Sequence, residues 1–144
     1  MAKKRIPEFA KGKLTVSGKR KTAVAKATIS NGPGIIKINK MPIDNLSFIR
    51  KLMIQEPLRI AEQTLKSKPS FDIFVNVTGG GSESQIEASR LAIAKAIIAF
   101  TKNADLKKAF LGYDRSLLVA DVRRKEQCKP NDSKARAKRQ KSYR

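Results

Sequence analysis

An α+β domain with basic extensions is the fold that this chain predicts, on three observations. Apolar and polar residues alternate from Leu14 to Asn39 and again from Phe71 to Thr78, the mark of half-buried strands. Between Leu46 and Leu65, and again after Ser82, the apolar residues recur at helical spacing instead. With 144 residues, 40% of them hydrophobic, the chain can build one ordinary core, yet its net charge is +20.

The first residues, Met1 to Lys13, are basic and interrupted by Pro7, so they read as an extended arm. Leu14 and Val16, then Ala23, Ala25, Ala27 and Ile29, form the apolar half of the first alternating stretch. Asn31-Gly32-Pro33-Gly34 suits a tight turn, and Ile35-Ile36-Lys37-Ile38-Asn39 alternates again, which predicts two antiparallel strands paired across that turn. Pro42 is expected to end the second of them. Ile49, Leu52, Met53, Leu58, Ala61 and Leu65 predict two short helices, or one broken at Pro57.

Phe71, Ile73, Val75 and Val77 predict an inward-facing strand row, rich in β-branched and aromatic residues. Gly79-Gly80-Gly81 ends it. Ser82 with Gln85 three residues later has the form of a capping box. In the helix that follows, Ile86, Ile93, Ile97 and Phe100 make one row and Leu91, Ala94 and Ile98 another, a face broad enough to cover one side of a sheet. A short helix is expected over 105–111 and a buried segment at Leu117-Leu118-Val119-Ala120. The domain expectation is an arm at 1–13, a core at 14–120 and a tail at 121–144.

Charge is unevenly spread. Residues 1–26 carry +8, residues 27–114 carry +4 and residues 115–144 carry +8. A tail this polar cannot build a core, and the natural counter-ion of its cations is a polyanion, with nucleic acid ahead of anionic lipid because bulky apolar anchors are missing. One cysteine, Cys128, excludes an internal disulfide and fits a reducing compartment. No apolar run reaches the length of a membrane span, and the start of the chain does not have the apolar stretch of a secretory signal.

Catalysis has little to draw on. There is no histidine, and a lone cysteine does not make the usual zinc site. Asp114, Asp121 and Glu126 are expected to pair with Arg115, Arg123 or Arg124 before binding magnesium. Gly79-Gly80-Gly81 precedes a helix start but no Lys-Ser or Lys-Thr pair closes it, so a structural turn or an RNA phosphate contact replaces nucleotide binding. Gly18-Lys19-Arg20-Lys21-Thr22 sets three cations between strands, and the second basic cluster at the far end favours a phosphate grip over a merely solvated run. With no Trp and only Tyr113 and Tyr143, few stacking platforms are expected.

Several motifs in order carry a resemblance. They are Gly18-Lys19-Arg20-Lys21-Thr22-Ala23-Val24-Ala25, Gly34-Ile35-Ile36-Lys37-Ile38-Asn39 with Pro42, Val77-Thr78-Gly79-Gly80-Gly81 with Gln85, Tyr113 to Asp121, and the ending Gln140-Lys141-Ser142-Tyr143-Arg144. The chain resembles the universal family of small-subunit ribosomal proteins numbered nine in bacteria and sixteen in eukaryotes, and its ending looks archaeal. That resemblance implies a fold like the second domain of ribosomal protein five: a mixed or antiparallel sheet of about four strands, helices on one face, and a left-handed β-α-β crossover. It also implies a structural, non-enzymatic, cytoplasmic role in the subunit head, with no cofactor, no small-molecule substrate and no membrane. The implied partners are ribosomal RNA, peptidyl-site tRNA and neighbouring ribosomal proteins.

Candidate rRNA contacts are Lys19, Arg20, Lys21, Lys26, Lys37, Gly79, Gly80, Gly81, Arg90, Arg115, Arg123, Arg124, Lys129, Arg136, Lys138 and Arg139. Lys141, Ser142, Tyr143 and Arg144 would meet the tRNA anticodon stem-loop. Fully extended, the residues after Ala120 would span at most roughly 80 Å. Where the family tail has a glycine-rich stretch, Pro130-Asn131-Asp132-Ser133-Lys134 stands here, so the resemblance implies no path for the mid-tail. Two rival functions remain open to the residues: a magnesium-dependent RNA-processing enzyme using Asp114 and Asp121, and a DNA-compacting protein.

Overall fold

A computed structural model describes residues 12–66, 70–131 and 134–137. The basic arm up to Lys11 and the tail from Lys138 onward lie outside the described residues. Five strands form one mixed sheet: β1 (Leu14–Arg20), β2 (Ala23–Asn31), β3 (Ile36–Ile38), β4 (Met41–Pro42) and β5 (Phe71–Thr78), in the order β1-β2-β5-β3-β4. The helices are α1 (Phe48–Leu65), α2 (Ser82–Thr101) and α3 (Ala104–Tyr113), with short 3-10 turns at Ile43–Asn45 and Arg115–Leu117.

The alternation places one row of each strand under the helices. Ala23, Ala25, Ala27 and Ile29 of β2 and Phe71, Ile73, Val75 and Val77 of β5 are all buried, and α2 lies across β1 and β2. Small residues set how closely. A Cβ added at Gly18 would stand 2.4 Å from the Ala88 carbonyl oxygen and 2.7 Å from the Ala92 amide, so β1 touches the backbone of α2. α1 packs on α2, α3 packs on α1, and Phe71 meets Phe100 edge to face at 6.1 Å.

Several expectations are corrected. The strands either side of Asn31-Gly32-Pro33-Gly34 do not pair with each other, because β5 lies between them, antiparallel to β2 and parallel to β3. The segment instead crosses the start of β5, where the Asp72 carboxylate accepts the Gly34 and Ile35 amides at 2.9 and 2.7 Å. The paired hairpin is β1–β2, closed by the two-residue turn Lys21-Thr22. Pro42 does not stop the sheet: it lies in β4, a fifth strand, which pairs with β3 through a turn at Asn39 and Lys40.

α1 is one helix with Pro57 inside it. Buried Ile54, Leu58 and Ala61 around the proline hold both halves against their neighbours, which offsets the missing hydrogen bond. Ile49 and Leu52, expected on the apolar face, are exposed instead. The capping box does not form, since Gly81 is the N-cap of α2, Ser82 Oγ accepts from Arg50, and Gln85 Nε2 donates to the Gly79 carbonyl. Of the segment 117–120 only Leu117 is buried.

α1 connects β3 to its parallel neighbour β5, which makes the β-α-β unit. β3 is only three residues long, and Asn39 extends its work: the Asn39 amide group accepts from Val77 N at 2.8 Å and donates to Val77 O at 3.3 Å, completing the edge of β5.

Candidate nucleic-acid interface

Strand alternation sorts the basic cluster Lys19-Arg20-Lys21 by face. Arg20 follows the buried row, so its guanidinium points to the helix side. It pairs there with Glu87 of α2 and, at 2.5 Å, with Asp121 at the root of the tail. Lys19 is on the opposite face, and Lys21 occupies the turn itself; both are exposed, with no carboxylate partner among the described residues. Glu87 holds the Arg20 guanidinium above its ordinary value, chiefly by its hydrogen bond.

The tail begins at a carboxylate clamp. Asp121 takes the Arg123 guanidinium at 2.7 Å and the Arg123 amide at 2.8 Å, and with Arg20 beside it the carboxyl is held well below the usual range. Arg123 is correspondingly raised by Asp121. Behind this clamp a second cation is enclosed. Arg90 of α2 reaches Asp114 at 3.0 Å, and a Glu56 carboxylate oxygen is 2.5 Å from its Nε without the alignment of a hydrogen bond. Asp114 is kept low chiefly by the Ser116 hydroxyl, then by the Ser116 amide and Arg90. Tyr113 is raised by its hydrogen bond to Glu56.

Asp121 thus pairs with its expected neighbour Arg123, whereas Asp114 and Glu126 take partners other than the expected arginines. Asp114 pairs with Arg90 and not Arg115, Asp121 with both Arg123 and Arg20, and Glu126 with Arg136 at 2.8 Å. The candidate cations fall into two groups. Arg20, Arg90, Arg123 and Arg136 have carboxylate partners, whereas Lys19, Lys21, Lys26, Lys37, Arg115, Arg124 and Lys129 have none among the described residues. Lys138, Arg139, Lys141, Ser142, Tyr143 and Arg144 lie outside the described residues.

Gly79 and Gly80 adopt left-handed backbone at φ 73° and 70° and press on the β1–β2 turn. A Cβ at Gly79 would stand 2.7 Å from the Thr22 carbonyl and one at Gly80 2.9 Å from the Ala23 side chain. This pair seats the end of β5 under the hairpin that carries Lys21. Gly81 has open space around its Cβ position.

Sequence reasoning missed Lys40, Lys66 and Lys102, which share left-handed backbone with Lys21 at φ 68°, 51°, 52° and 52°. Glycine or asparagine is the ordinary occupant of such positions, since a side chain there costs about 1–2 kcal/mol. Lys66 and Lys102 cap the C-termini of α1 and α2, where the helix dipole repays part of that. Lys21 and Lys40 stand in strand turns with no dipole to help. Missed too was Phe74, whose outward place was legible in the alternation of Phe71, Ile73, Val75 and Val77.

The described residues form an α+β scaffold whose turns present lysines with no carboxylate partner among those residues, the architecture of a basic structural protein. The comparisons with known proteins agree: the family described as Ribosomal protein S9/S16 matches residues 18–144, and the chain belongs to that family. It is 48% identical over 131 residues to the Small ribosomal subunit protein uS9 of Methanococcus maripaludis, covering 88% of this chain and 95% of the relative. The protein of the same name from Methanococcus vannielii is 49% identical over equal coverage, and that of Picrophilus torridus 50% identical over 129 residues, 88% of this chain and 94% of the relative. The family is one of structural small-subunit constituents, and the match is of archaeal type. No helix among the described residues is long and apolar enough to cross a membrane.

Proposed function

We propose that the chain grips small-subunit ribosomal RNA through phosphate contacts made by its unpaired cations, beside neighbouring ribosomal proteins of the head. Its last residues, Lys141 to Arg144, reach the anticodon stem-loop of peptidyl-site tRNA. The observation that carries the RNA grip is the sorting of cations: acids neutralise the arginines that tie helix, hairpin and tail root together, while Lys19, Lys21, Lys26, Lys37, Arg115, Arg124 and Lys129 have no carboxylate partner among the described residues. A compact protein carrying that excess is stabilised by a polyanion.

Phosphate contacts carry no sequence information, which suits a site that must accept every tRNA. The tRNA contact is supported by the family resemblance of the last five residues and by the reach of the tail.

Removing Lys141 to Arg144 is expected to leave subunit assembly intact and to weaken peptidyl-site tRNA binding; unchanged tRNA affinity in purified subunits rejects that contact. For the RNA grip, contact with about six phosphates gives a log–log salt slope near −5. Binding of the purified chain to ribosomal RNA that is insensitive to salt would reject a phosphate grip.

A further inference from the structure

The helices cover one face of the sheet, and the other face is open. At its centre stands Phe74, 44% exposed, in register with Thr28 of β2 on one side and Lys37 of β3 on the other. One step along the strands, Lys26 is in register with Asn76. Neighbouring strands are about 4.8 Å apart, so Thr28 and Lys37 flank the ring, and Lys26 and Asn76 line the same depression. Lys40, on its left-handed turn, joins them in lining a depression of about 600 Å³.

Charge in this depression has one sign. Lys26, Lys37 and Lys40 have no carboxylate partner among the described residues, and no carboxylate lines the depression. Asp72, the acid on this face of β5, is at its far end and is occupied by the Gly34 and Ile35 amides. We infer that this open face is a subsite for an unpaired RNA nucleotide, with a base stacked on Phe74 and the flanking phosphates held by Lys26, Lys37 and Lys40. The inference rests on the RNA-binding reading above and adds a place and a base contact to it.

The chemistry selects this occupant. An exposed aromatic ring among cations and neutral hydrogen-bonding groups offers a π-face to a base, donors to phosphate, and an amide, Asn76, to a base edge. A duplex keeps its base faces stacked internally, so only a loop, bulge or single strand can use the ring. A protein neighbour is disfavoured because one half-exposed phenylalanine gives little of the apolar centre that protein interfaces bury.

The chain contains no tryptophan, so a Phe74→Trp substitution creates a fluorophore that reports on this position alone. The full-length variant is titrated with a 12-nucleotide oligoadenylate and with an abasic oligomer bearing the same phosphates, binding being followed separately by anisotropy of the labelled oligomer. The expected result is a loss of emission on binding oligoadenylate that the abasic oligomer does not produce. Adding Lys26→Gln and Lys37→Gln should move the quenching midpoint to higher RNA concentration and flatten its log–log salt slope by about 1.4, at roughly 0.7 per phosphate contact on single strands.

Equal quenching by both oligomers would overturn the base contact, and RNA binding without any change in emission would overturn the subsite while leaving the phosphate grip in place. No RNA binding at all would overturn both. In assembled subunits, cross-linking of a photoreactive group at position 74 to a protein and not to RNA would assign the face to a protein neighbour and also overturn the proposal.

Discussion

Arg20 and Lys19 are adjacent in sequence and opposite in circumstance. Arg20 lies between Glu87 and Asp121 on the helix side, while Lys19 stands on the open side with no carboxylate partner among the described residues. The same contrast separates Arg90, enclosed by Glu56 and Asp114, from Lys21 and Lys40 on their strained turns. Basic residues in this protein thus perform two tasks. Arginines with planar, multi-donor heads join α1, α2, the hairpin and the tail root, and lysines at the turns provide charge to the outside.

The largest expected effect comes from the contact that places the hairpin, which involves neither kind of cation. Gly18→Val would drive a side chain into the backbone of α2 at Ala88 and Ala92. It should destabilise the domain by about 3 kcal/mol or more, read as a fall in the urea midpoint. A smaller loss would mean that the hairpin can lift, and with it Lys19 and Lys21.

Next is the division of labour itself. Arg90→Ala leaves Glu56 and Asp114 facing each other, and a loss of about 2 kcal/mol is expected, below the cost for fully buried pairs because both carboxylates keep some solvent. Lys19→Gln should leave the midpoint unchanged and lower RNA affinity. Equal effects of the two on stability would erase the distinction.

Acid should loosen the clamps before it touches the lysines. The carboxyls of Asp121 and Asp114 are lowered in the folded protein, so their contribution is fully present above the ordinary aspartate value of about 3.9 and is lost as pH falls below it through their folded values. Stability should therefore be flat from neutral pH down to about 4 and decline below. Asp121→Asn should make that decline shallower in acid urea titrations, and an unchanged slope would show that the Asp121 clamp adds nothing.

The smallest effect sharpens the comparison most. Lys21→Gly and Lys40→Gly relieve left-handed strain, and each should raise stability by about 0.5–1 kcal/mol while lowering RNA affinity. A lysine that weakens the fold and strengthens binding is there for its charge. If glycine improves the fold without reducing affinity, the strained turns have no such purpose.

Much of the architecture was legible because its signals are local. The period-two rows of β2 and β5 and the broad apolar face of α2 follow from neighbouring residues alone, and the structure buries those same residues, with Ile98 half-buried at the margin. The pairing across Asn31-Gly32-Pro33-Gly34 was misread because turn chemistry reports a change of direction and not which strand lies alongside. The break at Pro57 was misread because propensity was weighed without the packing of Ile54, Leu58 and Ala61. Within the candidate site, the basic clusters were visible as clusters, but Arg20 and Arg90 could not be told from Lys19 and Lys26 without knowing where Glu87, Glu56, Asp114 and Asp121 would arrive.

By itself the chain of residues determined its elements, its excess of cations, the inward rows of its strands and its family, since each depends on composition, short-range periodicity or ordered motifs. Only the tertiary structure decided that β5 runs between β2 and β3, that Phe74 stands among lysines on an open face, and which cations are already neutralised. Those outcomes depend on groups tens of residues apart meeting within a few ångströms, and Coulomb attraction and strand pairing act at such distances only after the core has brought the groups together.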